Sequence, residues 1–181
     1  KELNRHLQRT PHPVPTVEGL LPDVCKAKVF SKCDVRNGFL HIGLDESSSR
    51  LLTFATPFGR YSWTRMPFGI SPAPEIFQKS LEQQLIGLPG VTNIHDDILV
   101  IGEGGTQAEA VVNHDQRMEA LLQRCIERNI VLNDDDDKFR LREPELPFMG
   151  HVFSTEGLKP DPSKIEAIMR MPAPEDGPAL R

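Results

Sequence analysis

No apolar run in this chain is long enough to cross a membrane as a helix. The first ten residues, KELNRHLQRT, are charged and lack the apolar stretch of a secretory leader. Cysteine is scarce: Cys25, Cys33 and Cys125 are an odd set without CxxC spacing. That argues against a disulfide framework or a zinc site and fits a reducing compartment. Positive charge is also short. The net charge of −5 gives no sign of the basic stripe that usually marks nucleic-acid binding, although the run Asp134–Asp137 supplies four of the negatives in one place. There are no internal repeats. The 181 residues suffice for one ordinary core with a small appendage, and a start at Lys1 rather than Met fits a piece of something longer.

What is present alternates between strand and helix signals. Residues 1–28 carry Pro11, Pro13, Pro15 and Pro22, which predicts extended stretches rather than one continuous helix. AKVFSKCDV reads as a strand ending near Asp34. LLTFATPFGRYSWTRM reads as two strands joined at Pro57–Gly59, after which Gly69 breaks the pattern. Ser71 before Pro72 has the form of a helix N-cap with proline at the first helical position. Ile76, Phe77, Leu81 and Leu85 follow at helical spacing, so a helix is expected to about Leu85, where GLPG stops it. VTNIHDDILVI reads as two short strands with a tight turn near the aspartates. A second helix is expected over Gln107–Arg128, with Val111, Met118, Leu122 and Cys125 as its buried stripe. KFRLREPELPFMGHVFS holds two more strand candidates, Ser163–Met169 a short helix, and MPAPEDGPALR a linker-like tail. This order predicts an α+β domain with helices on one face of an antiparallel sheet, compatible with a split βαβ arrangement.

The chemistry concentrates in NIHDDILV, which sets Asp96 and Asp97 side by side within an apolar, β-branched run. Both ionise near neutral pH, and burying them unpaired is costly. Asp34 lies at another predicted strand end. If the strands are neighbours, three carboxylates converge, and a bare cluster would force one pKa up. A divalent cation removes that problem, and oxygen-only ligands favour magnesium or manganese over zinc. Two ions about 3.5–4 Å apart, bridged by aspartates, can activate an attacking oxygen and stabilise a leaving one, as in phosphoryl and nucleotidyl transfer. The competing reading is an exposed acidic turn beside an unrelated Asp34.

FSKCDVRNGF, TFATPFGRYSWTRMPFGISPAPEIFQ, NIHDDILV and FMGHVFSTEGLKPDPSKIEAI occur in this order. Together they resemble the reverse transcriptase of gypsy-type long-terminal-repeat retrotransposons, over about Lys1 to Pro172. The resemblance implies a polymerase palm, an RRM/ferredoxin-like antiparallel sheet with helices on one face. Residues 1–28 would be a partial fingers segment and 29–160 the palm, with a fingers insertion near 44–70. Residues 161–181 would start the connection to a thumb and the tail. It implies an RNA-directed DNA polymerase that adds deoxynucleotides to a primer 3′-end with two Mg2+ ions, or Mn2+. Asp34 matches the first metal-binding aspartate, and Asp96 and Asp97 the doublet, with the Val35 backbone carbonyl as a further ligand. Phe39 matches the aromatic gate against a ribose 2′-OH; the competing reading is a plain core residue. Val35 and Arg36 lie where backbone amides would meet the triphosphate. Phe68 would line the nucleotide pocket, and Gly69 permits close backbone approach. Phe148, Met149, Gly150 and His151 match the primer-gripping hairpin; Gly150 and His151 are as easily read as turn and surface residues. The partners implied are an RNA or DNA template with primer, deoxynucleoside triphosphates and, in an intact polyprotein, thumb, connection and ribonuclease H regions. No membrane is implied. The setting implied is intracellular: cytoplasm, virus-like particle or nucleus.

Three departures from the family pattern matter. An aromatic, often Tyr, usually stands two residues before the doublet; here it is Ile94, followed by His95. A ligand or proton-shuttle role for His95 is disfavoured, because neighbours on a strand face opposite ways. The family commonly has a lysine near position 136, where this chain has Asp136 within LNDDDDKF. Lys138, two residues on, is the substitute candidate for a general acid toward pyrophosphate; the competing reading is a solvated acidic loop. The run is not an EF-hand, since its glycine and spacing are missing. Finally, the family's basic fingers residues lie upstream of KELN, and its thumb and ribonuclease H regions lie downstream. Those parts bring much of the charge that grips phosphates, so an acidic fragment is no contradiction, and the chain alone is expected to polymerise poorly or not at all.

Two other functions compete. A decayed or domesticated remnant would fold and act, if at all, by binding; Ile94, Asp136 and the absent fingers motivate it, and the presence of Asp34 and Asp96 speaks against it. HDD as the metal pair of a helical phosphohydrolase would need a helix, whereas Ile94, Ile98, Leu99 and Val100 favour a strand. The polymerase reading predicts Asp34 and Asp96 on adjacent strands, within about one metal-bridging distance.

Overall fold

The computed structural model describes residues 2–171. Its elements run α1 (Glu2–His6), α2 (Val17–Val24), β1 (Ala27–Asp34), a 3-10 turn over Gly38–His41, α3 (Glu46–Leu51), β2 (Thr53–Thr56) and β3 (Gly59–Ser62). There follow α4 (Ala73–Leu85), β4 (Val91–Ile94), β5 (Asp97–Glu103), α5 (Gln107–Arg128), β6 (Phe139–Glu143), β7 (Glu145–Phe148), β8 (His151–Ser154), β9 (Gly157–Pro160) and α6 (Pro162–Met169). The tail expected over 172–181 lies outside the described residues.

The central sheet is antiparallel in the order β4–β5–β1–β6, with β2–β3 and β7–β8–β9 as separate sheets. Read along the chain, β1, α4, β4, β5, α5 and β6 form the expected split βαβ arrangement. Alternation along the strands sorts their side chains onto two faces. Cys33, Ile98 and Val100 pack against Phe77, Leu81 and Leu85 of α4 and Met118, Leu121 and Cys125 of α5. Both helices thus lie on one face, as predicted. The opposite face is not bare. Phe30, Leu99 and Ile101 pack under Leu20 and Val24 of α2 and under Leu146, Phe148 and Phe153 of the β7–β9 sheet. Lys32, Asp34 and Asp97 continue that face beyond the apolar cluster.

α5 has the expected bounds, set by a capping box between Thr106 and Glu109 and a left-handed Asn129 at its end. Its buried stripe is rotated from the predicted one: Ala110, His114, Met118, Leu121 and Cys125 are buried, Val111 is half-buried and Leu122 is 40% exposed. A polar residue takes the central place because the Ser31 Oγ lies 2.8 Å from His114 Nε2 and the Asp115 carboxylate 3.1 Å from Nδ1. Ser71 does not cap α4; the cap residue is Pro72, without a side-chain bond. The early prolines leave few amides to cap, the Ala73 N–H already donates to the Ile70 carbonyl, and the Ser71 N–H is held by Asn4. Within that helix Ile76 is exposed while Phe77, Leu81 and Leu85 are buried. Three short helices are not among the expected elements, α1, α2 capped by Thr16 and α3 capped by Asp45. KFRLREPELPFMGHVFS holds three strands, β6 to β8, rather than two, and β9 is a further addition.

α5 crosses β5 at Gly102, where a Cβ would run into the Ala110 carbonyl and the His114 side chain. Gly102→Ala is expected to cost about 1–3 kcal/mol through overpacking. Gly43→Ala, where a Cβ meets nothing within 4 Å, should change stability little. Urea unfolding of the two variants checks the contrast.

Candidate active site

Strand register places Asp34 directly opposite Asp97, where β1 and β5 end. Residues opposite each other in an antiparallel pair share a face, and like charges there repel. Both carboxylates are therefore countered. Asp34, only 5% exposed, accepts from the Asn133 side-chain amide and pairs with Lys138 Nζ at 3.1 Å. Asp97 pairs at 2.9 Å with Lys32 Nζ, two residues before Asp34 on the same face. Asp96 is exposed at the turn, and its carbonyl accepts the Val35 N–H at 2.8 Å, tying the two strand ends together. Burial pushes the Asp97 carboxyl up from its usual range, against the pull of Lys32 and with help from Asp34 and Asp96. The hydrogen bond to Asp34 and its charge raise the Lys138 ammonium, and Asp97 and Asp96 add to the effect.

The turn itself is held from α4. The Gln78 side chain accepts the His95 N–H at 2.6 Å and donates to the Asn93 carbonyl at 3.2 Å. His95 takes a left-handed backbone (φ 54°), and Asn93 donates to its carbonyl. HDD thus belongs to a strand hairpin, which removes the helical phosphohydrolase reading.

The neighbouring positions divide. The amides of Val35 and Arg36 are not open to a triphosphate, because they donate to the Asp96 and Val131 carbonyls, each at 2.8 Å. The next amides are those of Asn37, Gly38 and Phe39. The half-buried Phe39 ring packs edge-on against Phe77 and lies 5.3 Å, centroid to centroid, from the exposed ring of Phe68. Gly69 has φ 84° and open space around it, so its glycine serves the backbone conformation. At the β7–β8 hairpin, Phe148 is a buried core residue and not a surface contact. Met149 and Gly150, both at positive φ, form the two-residue turn, and His151 Nδ1 bonds back to the Met149 carbonyl. Lys32, Asn133 and Gln78 escaped the sequence reading. Only Lys32 carried a signal, its two-residue offset from Asp34.

A family model described as "Reverse transcriptase (RNA-dependent DNA polymerase)" matches residues 1–153. The chain belongs to this family. It is 31% identical over 183 residues to the retrovirus-related Pol polyprotein from transposon 412 of Drosophila melanogaster, covering 100% of this chain and 14% of that protein. The Pol polyprotein from transposon gypsy of the same organism is 27% identical over 177 residues, covering 97% of this chain and 16% of its own. The chain therefore spans only a small part of the relatives it matches. In fold it is similar to the foamy viral protease-reverse transcriptase dRH solved in complex with ds DNA. That likeness has a TM-score of 0.85 at 21% identity, over 98% of this chain and 30% of that one. The gypsy-type resemblance and the palm architecture both hold.

Reverse transcriptases generally use divalent metal ions. The donors near Asp34 fit such an ion in kind. Asp34, Asp96 and Asp97 are oxygen ligands, and the Val35 carbonyl accepts no backbone hydrogen bond among the described residues. The expected gathering of three carboxylates at one point is not met, however: among the described residues no three His, Cys, Asp or Glu side chains form a cation cage. Lys138 and Lys32 draw Asp34 and Asp97 to separate ammonium groups, and these supply the counter-charge.

Because folding raises the Asp97 pKa, the folded chain holds a proton that the unfolded chain has lost. The stabilisation from this group is full below the ordinary carboxylate pKa of about 4 and declines as pH rises toward the raised value. Asp97→Asn should flatten that part of the stability–pH curve, as read from urea midpoints across the acid range.

Proposed function

We propose that the chain is the palm-centred part of an RNA-directed DNA polymerase, transferring deoxynucleotides to a primer 3′-end on an RNA or DNA template. The observation that carries it is the pairing of Asp34 with Asp97 at adjacent strand ends, on the face that also bears the Met149–Gly150 hairpin. Catalysis in this class is mostly positioning and electrostatic stabilisation. Two Mg2+ ions, or Mn2+, would supply activation of the attacking oxygen and charge neutralisation. Asp34, Asp96, Asp97 and the Val35 carbonyl would hold them. With an ion held by Asp34, Lys138 would be free to face the pyrophosphate as a proton donor. Phe39, braced on Phe77, stands as the gate beside Phe68. Met149, Gly150 and His151 meet the primer.

The proposed division is a fingers part over 1–28, the palm over 29–160 with its insertion near 44–70, and the start of the thumb connection from 161. The separate β2–β3 hairpin supports the insertion. The setting proposed is intracellular, with thumb, connection and ribonuclease H regions as neighbours in a full polyprotein.

Two measurements test this. Mn2+ titration of the chain, followed by electron paramagnetic resonance, should show saturable binding that Asp34→Asn abolishes. Primer extension on poly(rA)/oligo(dT), by a longer Pol polypeptide carrying this chain, should need Mg2+ or Mn2+ and fall at least about a hundredfold in Asp34→Asn or Asp96→Asn. Synthesis unaffected by both substitutions would overturn the proposal.

A further inference from the structure

Beside this site, and lined by none of its carboxylates or phenylalanines, is a recess of about 590 Å3. Arg36, Arg65 and Arg128 line it with His41, Asn37, Gln84 and Asn129, and only Leu40 and Val131 are apolar. No acidic side chain is among these residues, in a chain whose net charge is −5. Arg65 spends one donor on the His41 carbonyl at 3.1 Å. The guanidiniums of Arg36 and Arg128 have no hydrogen-bond or ion-pair partner among the described residues, although most other arginines of the chain are paired with a carboxylate or a carbonyl. The recess is also shaped from its base. His41 Nδ1 bonds the Gly38 carbonyl at 3.2 Å and Nε2 accepts the Val131 N–H at 3.1 Å, so the ring joins the 3-10 turn to the segment after α5.

Three arginines that line one recess with no acidic residue among its walls repel one another, and the arrangement is eased by a multiply charged anion. Guanidinium forks match phosphate oxygens two at a time. A strand of nucleic acid would instead call for cations spread along a track, and here three line one recess. We propose that this recess is a second anion site that takes a small polyphosphate, of which inorganic pyrophosphate is the simplest member. The site stands apart from Asp34, so its binding does not depend on the polymerase reading. Arg36 begins two residues after Asp34, which puts the recess next to the position where that reading releases pyrophosphate.

Calorimetric titration of the chain with pyrophosphate, without added metal, tests the proposal. Binding should weaken with salt and fall roughly tenfold for each guanidinium removed in Arg128→Gln and Arg65→Gln/Arg128→Gln. The titration contains no metal and reads no synthesis, so its failure and a failure of the primer-extension assay are distinguishable. In the parent chain, amide shifts on adding pyrophosphate should centre on Leu40, His41, Asn129 and Val131, a readout that needs no variant to fold. Absence of binding at millimolar pyrophosphate, unchanged affinity in Arg128→Gln, or shifts centred elsewhere would overturn it. So would displacement of pyrophosphate by a single-stranded oligonucleotide at far lower concentration, which would assign the recess to nucleic acid.

Discussion

Two carboxylates that face each other across an antiparallel strand pair are the constraint around which this molecule is arranged. Asp34 and Asp97 gain nothing from each other, and Asp34 is almost wholly withdrawn from water. Three side chains from two segments answer them. Lys32 comes from β1 itself, and Asn133 and Lys138 come from the stretch between α5 and β6. That stretch is the DDDD run, whose tally of negative charge hides its part in the structure: it brings one lysine and one amide to a buried aspartate. With its ammonium half-exposed, Lys138 is a modest stabiliser by itself. Its value lies in making a buried carboxylate tolerable without closing the site.

The position of Lys138 depends in turn on how β6 lies against β1. Register slips between Phe30 and Lys32, with Arg142 as the extra residue at φ 56°. Its N–H donates to Ser31 Oγ at 2.8 Å, and its guanidinium grips the Asp115 carboxylate through two bonds of 2.8 and 2.6 Å. Ser31, His114, Asp115 and Arg142 thus link β1, α5 and β6. Ser31 and His114 are wholly buried, while Asp115 and the guanidinium are partly exposed at the edge, so the group is structural. It explains why a histidine and a serine can be fully buried at the centre of the helix–sheet contact.

How much of this could be read from the letters follows from the range of the forces involved. α5, the β4–β5 hairpin and β1 were legible because capping, turn and alternation signals are local. Asp34 and the aspartate doublet were legible because carboxylates at strand ends suggest a shared charge problem. The helix stripe was misplaced by about one residue, since hydrophobicity favoured Leu122 and a long-range bond to Ser31 favoured His114. Phe148 was read as a contact residue by its neighbours in the motif, yet its ring is packed with Phe153. The amides of Val35 and Arg36 were read as open, but each meets a carbonyl distant in sequence. Asn133 and Gln78 share this cause: each acts across a gap that no local pattern encodes.

Gln78 has one further consequence. A single side chain gives both ends of its amide to the hairpin turn and also donates to Glu82 one helical turn on. Helix and hairpin are thereby held as one body. The counter-charge on Asp34, by contrast, sits at the end of a flexible four-carbon stem. Exposed side chains of that kind change rotamer in picoseconds to nanoseconds, roughly a thousandfold or more faster than the collective motions of packed elements. The counter-charge at Asp34 can therefore move on the timescale of a lysine, while the floor beneath it stays still.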